Sequence, residues 1–184
     1  MQEAKNYKNS LKKICLAGVM AGLYVCLDYL AVSVSAPFGG SLKISLSGLP
    51  VIITAIFAGP IWGAAAGLIG AFIGQLITYG LSATTLLWVL PAVVRGLLFG
   101  ILFIAFKKRT EPKFLILETC ISSLVVTAMN TAVMLIDQKI YGYGSLATTL
   151  ATVPTRVIAG LVTAVLFSLM LPTIIDSLKK IMKI

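Results

Sequence analysis

The chain contains no histidine, and only 11% of its 184 residues are charged. Soluble domains average about 25% charged residues. Histidine is the commonest general base and a frequent metal ligand, so its absence argues against most catalytic and metal-binding proteins. The three cysteines, Cys15, Cys26 and Cys120, lie in apolar segments without metal-type spacing. No Walker A motif occurs either. We therefore expect a protein that is not an enzyme and that carries no metal or other cofactor.

Long apolar runs take the place of the missing charges. Hydrophobic residues make up 59% of the chain, and the mean hydropathy is +1.02. Because a membrane-spanning helix needs roughly 20 apolar residues, we predict six spans. They cover about residues 14–35, 46–58, 60–79, 86–106, 114–136 and 146–171. The predicted fold is an all-α integral membrane protein with one six-helix domain over residues 1–184. The first 12 residues of this domain form a polar N-terminal segment, which is predicted to be cytoplasmic.

The run from Leu46 to Tyr79 has no charged residue and one break, at Gly59-Pro60. Glycine fits the end of one helix and proline the first turn of the next, so the break predicts two spans joined by a tight turn. The span over residues 46–58 is short, which predicts that it is tilted or shielded by protein. The span over residues 60–79 carries glycines at spacings of three and four, which allow close helix packing in lipid.

The basic residues indicate the orientation of the chain. Most lie before the first span, between the fourth and fifth spans, and after the sixth: Lys5, Lys8, Lys12, Lys13; Lys107, Lys108, Arg109, Lys113; and Lys179, Lys180, Lys183. Basic residues are enriched in cytoplasmic loops, so both termini and the loop between the fourth and fifth spans are predicted to be cytoplasmic. The net charge of +9 therefore reflects topology rather than nucleic-acid binding.

Arg95 and Arg156 lie inside predicted spans, at a depth of roughly 15 Å from the outer end at 1.5 Å per residue. An arginine at the bilayer centre costs about 2.5–3.5 kcal/mol, so each needs a partner. One interpretation is structural pairing with Asp28, Asp137 or Glu118. The other is an anion site open to the outside, because a guanidinium binds carboxylates and phosphates bidentately. Pro91 and Pro154, shortly before the arginines, suit the edge of a cavity.

Other polar residues belong to the same outer half of the predicted bundle. A buried amide such as Asn130 needs a hydrogen-bonding partner. The aromatic residues fit either a ligand pocket or the interfacial belt that tryptophan and tyrosine form in membranes. Lys43 fits either a solvated loop or a loop that closes over the site. The candidate substrate-binding residues are Arg95, Arg156, Asn130, Trp88, Tyr79, Gln75, Asp28 and Lys43.

These features resemble the substrate-binding S-component of an energy-coupling factor (ECF) vitamin transporter. The resemblance rests on the six spans, on Ala17 and Ala21 in the first span, and on Leu49-Pro50 followed by Gly59-Pro60-Ile61-Trp62-Gly63. It implies a multi-pass protein of the bacterial plasma membrane that binds a vitamin at its outer side with high affinity. It also implies docking, through Ala17 and Ala21, onto a transmembrane coupling protein driven by two cytoplasmic ATPases. The loop over residues 36–45 would then be a gate over the vitamin.

The segments Leu87–Pro91 and Thr152–Arg156 resemble the folate-specific FolT branch of that family. Two cavity arginines argue against the cation thiamine and favour an anion, and folate carries two carboxylates on its glutamate tail. Asp28 is the candidate carboxylate for reading the pterin ring, whose edge donates hydrogen bonds. Pantothenate, biotin, nicotinate and riboflavin remain alternative substrates.

Two further classes of function stay open at this point. A self-contained channel or secondary transporter would need internal repeats or a proton relay, and the resemblance between the fourth and sixth spans is too slight to be called a repeat. An intramembrane enzyme would need a nucleophile with a base, or a metal set, and the sequence offers neither. Dependence on a partner distinguishes a capture subunit from a self-contained transporter, because a capture subunit binds its substrate alone but transports it only with an ATPase module.

Overall fold

A computed structural model describes residues 2–35 and 41–182, with side chains over residues 10–31 and 45–180. The elements are α1 (Gln2–Tyr29), β1 (Val32–Ser35), β2 (Ser41–Ile44), α2 (Gly48–Ala58), α3 (Pro60–Tyr79), α4 (Thr85–Ala105), α5 (Pro112–Tyr141) and α6 (Leu146–Met182). The prediction of a helical membrane fold is confirmed. Five of the described helices are long and apolar enough to cross a membrane.

The end of the first span was predicted wrongly. Helix α1 ends at Tyr29 rather than at Ser35, and β1 pairs antiparallel with β2 in the register Val32↔Ile44. The reason is visible in Val32-Ser33-Val34-Ser35, where apolar and polar residues alternate and valine is β-branched. This period of two is typical of a strand and not of a helix. Residues 36–40 of the predicted gate lie outside the described residues.

The short helix α2 is shielded by protein, as its length predicted. Its 11 residues extend only about 16 Å at 1.5 Å per residue, well short of a hydrocarbon core of about 30 Å. Nine of the 11 are buried, and the helix packs against α1, α3, α4 and α6. Helix α2 therefore forms the interior of the bundle rather than an independent span.

Helix α3 packs closely against α1, α2 and α4. Its buried residues are all glycine or alanine. A Cβ on Gly63 would overlap Ala55 of α2, and one on Gly67 would overlap the backbone of Ala92 in α4. The small-residue face predicted from the sequence thus brings α3 into backbone contact with its neighbours. The predicted break is also confirmed, since Gly59 has φ 103° and α3 begins at Pro60.

The apolar core occupies the half of the bundle nearest the basic turn between α4 and α5. It is built from α2, α4, α5 and α6, through Leu49, Ile52, Ile53, Phe99, Phe103, Leu115, Phe167, Leu171 and Ile175. The other half of the bundle is not filled in this way. There the helices separate around a polar cavity, and the core forms its floor.

Candidate functional site

A cavity of about 670 Å³ opens at the end of the bundle away from the basic turn. Helices α1, α3, α4, α5 and α6 contribute to its wall, together with the segment before α2. The structure brings nearly all predicted substrate-binding residues to this wall: Asp28, Gln75, Tyr79, Trp88, Arg95, Asn130 and Arg156. Lys43 lies on β2, and its side chain lies outside the described residues.

Arg95 sits at the floor of the cavity, where the polar wall meets the core. Its guanidinium carbon lies 5.7 Å from the centroid of the Phe167 ring, which is a cation–π contact. On another side it is pressed against Gly48, the first residue of α2, since a Cβ there would overlap Arg95 Nη1. These two contacts hold the guanidinium in one place. Neither is a hydrogen bond, so they leave its N–H donors for other partners.

Asp28 lies beside this floor, one helical turn after Tyr24. Its Oδ1 accepts hydrogen bonds from Ser45 Oγ and Ser47 Oγ, each at 3.3 Å. Ser45 Oγ and Ser47 Oγ lie 2.8 Å apart. Tyr24 lines the same side of the cavity, and Gly48, which directly follows Ser47, is pressed against Arg95. A carboxylate, a guanidinium and three hydroxyls are therefore grouped on one side of the cavity.

Arg156 belongs to the other side of the cavity, with Asn130 of α5. Both are half-buried cavity-lining residues. Arg156 Nη2 contacts Met134 Sδ, and a thioether sulfur is only a weak acceptor. Within the described residues no oxygen acceptor contacts this guanidinium, so its N–H donors can bind a molecule in the cavity.

Asp137 anchors the mouth of the cavity. It is buried, and the hydroxyl of Tyr143 donates a hydrogen bond to its carboxylate. This hydrogen bond raises the pKa of Tyr143 to about 12, because the neutral phenol is the donor. Nearby, the backbone N–H of Ala83 donates to Tyr141 Oη at 3.2 Å. The turn after α5 is thus tied to α5 itself, and the last residue of α5 is tied to the turn before α4.

Structural pairing does not account for the two arginines. Among the side chains that the structure describes, neither guanidinium forms an ion pair with a carboxylate. Asp28 and Asp137 accept hydrogen bonds from hydroxyls, as described above. Glu118 lies elsewhere, fully buried among core residues, and within the described residues neither of its carboxylate oxygens has a hydrogen-bond partner.

Several hydroxyl-bearing residues of the wall were missed by the sequence reasoning. They are Tyr24, Ser45, Ser47, Ser123, Thr127 and Thr163. A signal was present for some of them. Ser123, Thr127 and Asn130 follow the spacing i, i+4, i+7, which puts them on one face of α5. Tyr24 precedes Asp28 by one turn in the same way.

The two predicted docking residues, Ala17 and Ala21, pack inside this chain. Their exposed fractions are 4% and 2%. The next residues along α1 behave differently, because Gly18 and Gly22 are exposed and a Cβ on either would meet nothing within 4 Å. The open face of α1 is therefore the one that carries Gly18 and Gly22. Docking through α1 stays a prediction.

The cavity wall can bind a small polar organic molecule. It combines two guanidiniums, an amide, several hydroxyls and aromatic rings within a space typical of ligand pockets, which range from about 300 to 1,000 Å³. The described residues contain no group of three or more metal-type ligands. The arrangement suits recognition by hydrogen bonding and stacking.

Comparison with known proteins shows a similar fold and a family. A solved structure described as the S component of a bacterial ECF transporter has a TM-score of 0.61 and 18% identity, over 92% of this chain and 99% of that chain. It establishes similarity of fold. No match is found among curated protein sequences. The family model for the S component of ECF-type riboflavin transporters matches residues 8–176, so this chain belongs to that family.

Proposed function

We propose that this chain captures folate in the polar cavity and delivers it to an ATP-driven ECF coupling module. Membership of the family makes the chain a substrate-binding subunit in the membrane rather than a member of an enzyme class. The observation that carries the choice of substrate is the pair of guanidiniums, Arg95 and Arg156, that line one cavity. Because no described carboxylate pairs with them, they suit a ligand that brings its own carboxylate and carbonyl oxygens.

The acidic residues that line the same cavity do not cancel this preference. Asp28 is hydrogen-bonded to Ser45 and Ser47, and Asp137 is hydrogen-bonded to Tyr143. Their charge is therefore partly satisfied by neutral donors, whereas the guanidiniums face apolar partners, Phe167 and Met134. The two guanidiniums, which carry donors and no acceptor, therefore keep N–H groups for oxygen atoms of a ligand.

Riboflavin is the second candidate, and the family model supports it. That model is described by riboflavin transport and covers residues 8–176. Riboflavin has no carboxylate, but its flat ring carries carbonyl oxygens that can accept from a guanidinium. The cavity volume fits either vitamin class, so the choice between them depends on the charge of the ligand.

A binding titration on the detergent-purified chain tests the proposal. Tryptophan fluorescence or calorimetry would follow folate first, then riboflavin, pantothenate, biotin and thiamine. We expect folate to bind most tightly, and we expect Arg95→Ala and Arg156→Ala each to weaken it about tenfold or more, since a charge-assisted hydrogen bond contributes about 1.5–3 kcal/mol.

Arg109→Ala is the matched control, because Arg109 lies over Phe114 in the basic turn, away from the cavity. It should bind folate like the unmodified chain. Tight riboflavin binding without folate binding would keep the family and change the substrate. Binding of none of the five vitamins would contradict vitamin capture and would favour a self-contained transporter or channel.

A further inference from the structure

The cavity has two polar sides that belong to different parts of the helix bundle. Asp28 and Tyr24 lie on α1, whereas Asn130 lies on α5 and Arg156 on α6. Helix α1 packs against α2 and α3, and within the described residues it makes no contact with α5 or α6. Asp28 and Arg156 are therefore on opposite walls, with the cavity between them.

The two sides offer different hydrogen-bonding chemistry. The side at α1 places an acceptor, the Asp28 carboxylate, near a donor, the Arg95 guanidinium, because Ser47 is hydrogen-bonded to Asp28 and the next residue, Gly48, is pressed against Arg95. The Asp28 carboxylate is fixed by two serine hydroxyls on the segment before α2. A fixed acceptor beside a fixed donor is complementary to a heterocycle edge that carries an N–H next to a carbonyl.

The side at α5 and α6 is richer in donors. Arg156 contributes a guanidinium whose described partner is a sulfur atom, and Asn130 contributes an amide that can donate as well as accept. The acidic residue of α5 nearest to Asn130 in sequence is Asp137, which lies two turns beyond Asn130 and accepts a hydrogen bond from Tyr143. This side is complementary to a carboxylate.

From these two chemistries we infer that the ligand binds in one fixed orientation: its ring edge lies at Asp28 and Arg95, and its carboxylate tail lies at Arg156 and Asn130. This inference rests on the proposed capture of a vitamin that has both groups. The ring would then be contacted by α1, by α4 and by the segment that precedes α2. The carboxylate tail would be contacted by α5 and α6. Arg95 and Arg156 thus have separate roles.

A cycle that combines ligand truncation with substitution tests the orientation. Binding of folate and of 6-hydroxymethylpterin, which keeps the pterin ring and has no carboxylate, is measured by calorimetry on the full chain and on its Asp28→Asn, Arg95→Gln and Arg156→Gln variants. We expect Arg156→Gln to weaken folate about 10- to 100-fold but 6-hydroxymethylpterin much less, so that the preference for folate is reduced by that factor. Asp28→Asn and Arg95→Gln should weaken both ligands by the same factor and keep the preference.

The control and the contrary outcomes are distinct. Arg109→Gln makes the same chemical change outside the cavity and should alter neither ligand. Loss of the folate preference in Arg95→Gln, with its retention in Arg156→Gln, would reverse the orientation and overturn the inference. An equal effect of every cavity variant on both ligands would also overturn it. Failure of the unmodified chain to bind folate would instead contradict the proposed function.

Discussion

At the residue scale, Gly48 controls the position of Arg95 without contacting a ligand through a side chain. A Cβ at position 48 would overlap both Arg95 Nη1 and Phe167 Cε2. We expect Gly48→Ala to displace the guanidinium into the cavity and to lower folate affinity about tenfold, because binding groups act only within a narrow range of geometry. Overpacking should also destabilise the fold by about 1–3 kcal/mol. Calorimetry and thermal unfolding in detergent measure the two effects.

The double variant separates positioning from general damage. If Gly48 acts through Arg95, the loss of affinity in Gly48→Ala should not add to the loss in Arg95→Gln, since interacting sites are not additive. Gly18→Ala is the control, because Gly18 lies on an exposed helix face with nothing near its Cβ. Fully additive losses would show that position 48 acts independently of the guanidinium.

The cavity residues that could be predicted from the sequence are those whose burial in the membrane costs free energy. Arg95 and Arg156 stand out because a charge inside an apolar span needs an explanation, whether or not a structure is known. Ser47 and Tyr24 carry no such cost, since hydroxyls are tolerated in helices and tyrosine is common near membrane interfaces. Ser47 contacts Asp28 from 19 residues away in sequence, and the spacing gives no sign of it.

At the element scale, the packing of α3 depends on its small residues. A side chain at Gly67 would overlap the carbonyl of Ala92, which belongs to the α4 backbone and cannot rotate away. We expect Gly67→Leu to separate α3 from α4 and to lower the thermal unfolding temperature by several degrees, or to prevent folding. Gly22→Leu is matched in size and should fold normally, because the space beside Gly22 is open. Unfolding followed by circular dichroism, with fluorescence-detected size exclusion, measures both.

Equal stability of the two leucine variants would contradict the dependence of α3 packing on its small residues.

The same comparison explains why the small-residue pattern was only partly informative. Glycines in α1 and in α3 have the same spacing in the sequence, yet those in α3 are buried and Gly18 and Gly22 are exposed. The pattern indicates that a face allows close approach, and it does not indicate whether the partner is in the same chain.

The hairpin between α1 and α2 marks the limit of predicting elements from hydropathy. Apolar residues from Leu30 to Val34 extend the first apolar run, so a sum over that run predicts a longer helix. The alternation of valine and serine contains the correct information, because its period is two. By contrast, Gly59-Pro60 was predictive because both residues restrict the backbone directly.

At the scale of the whole molecule, the six-helix fold followed from the lengths of the apolar runs, whereas the cavity did not. A cavity depends on where helices separate, and this is determined by long-range packing such as that of Phe167 and Phe99 in the core below. The sequence placed the polar candidates in one half of the bundle. It could not assign them to opposite walls, because that depends on which helices are neighbours.

Orientation in the membrane is the prediction that concerns the whole chain. The basic turn between α4 and α5 contains Lys107, Lys108 and Arg109, and the turn between α3 and α4 contains no basic residue. The positive-inside rule therefore predicts that the cavity faces outward. In a background with the three native cysteines replaced by serine, Leu81→Cys and Glu111→Cys report the two sides, since both positions are exposed.

A membrane-impermeant maleimide should label Leu81→Cys in intact cells and should label Glu111→Cys only after the membrane is permeabilised. The opposite pattern would place the cavity at the cytoplasmic face, which a subunit that captures an external vitamin could not use.

Folate in the medium should also slow labelling of a cysteine at the cavity mouth, such as Ser82→Cys, because Ser82 lines the cavity. It should leave Leu81→Cys unaffected, since the Leu81 side chain is 79% exposed and does not line the cavity. Protection confined to Ser82→Cys would join the orientation of the chain to the occupancy of its site in one measurement.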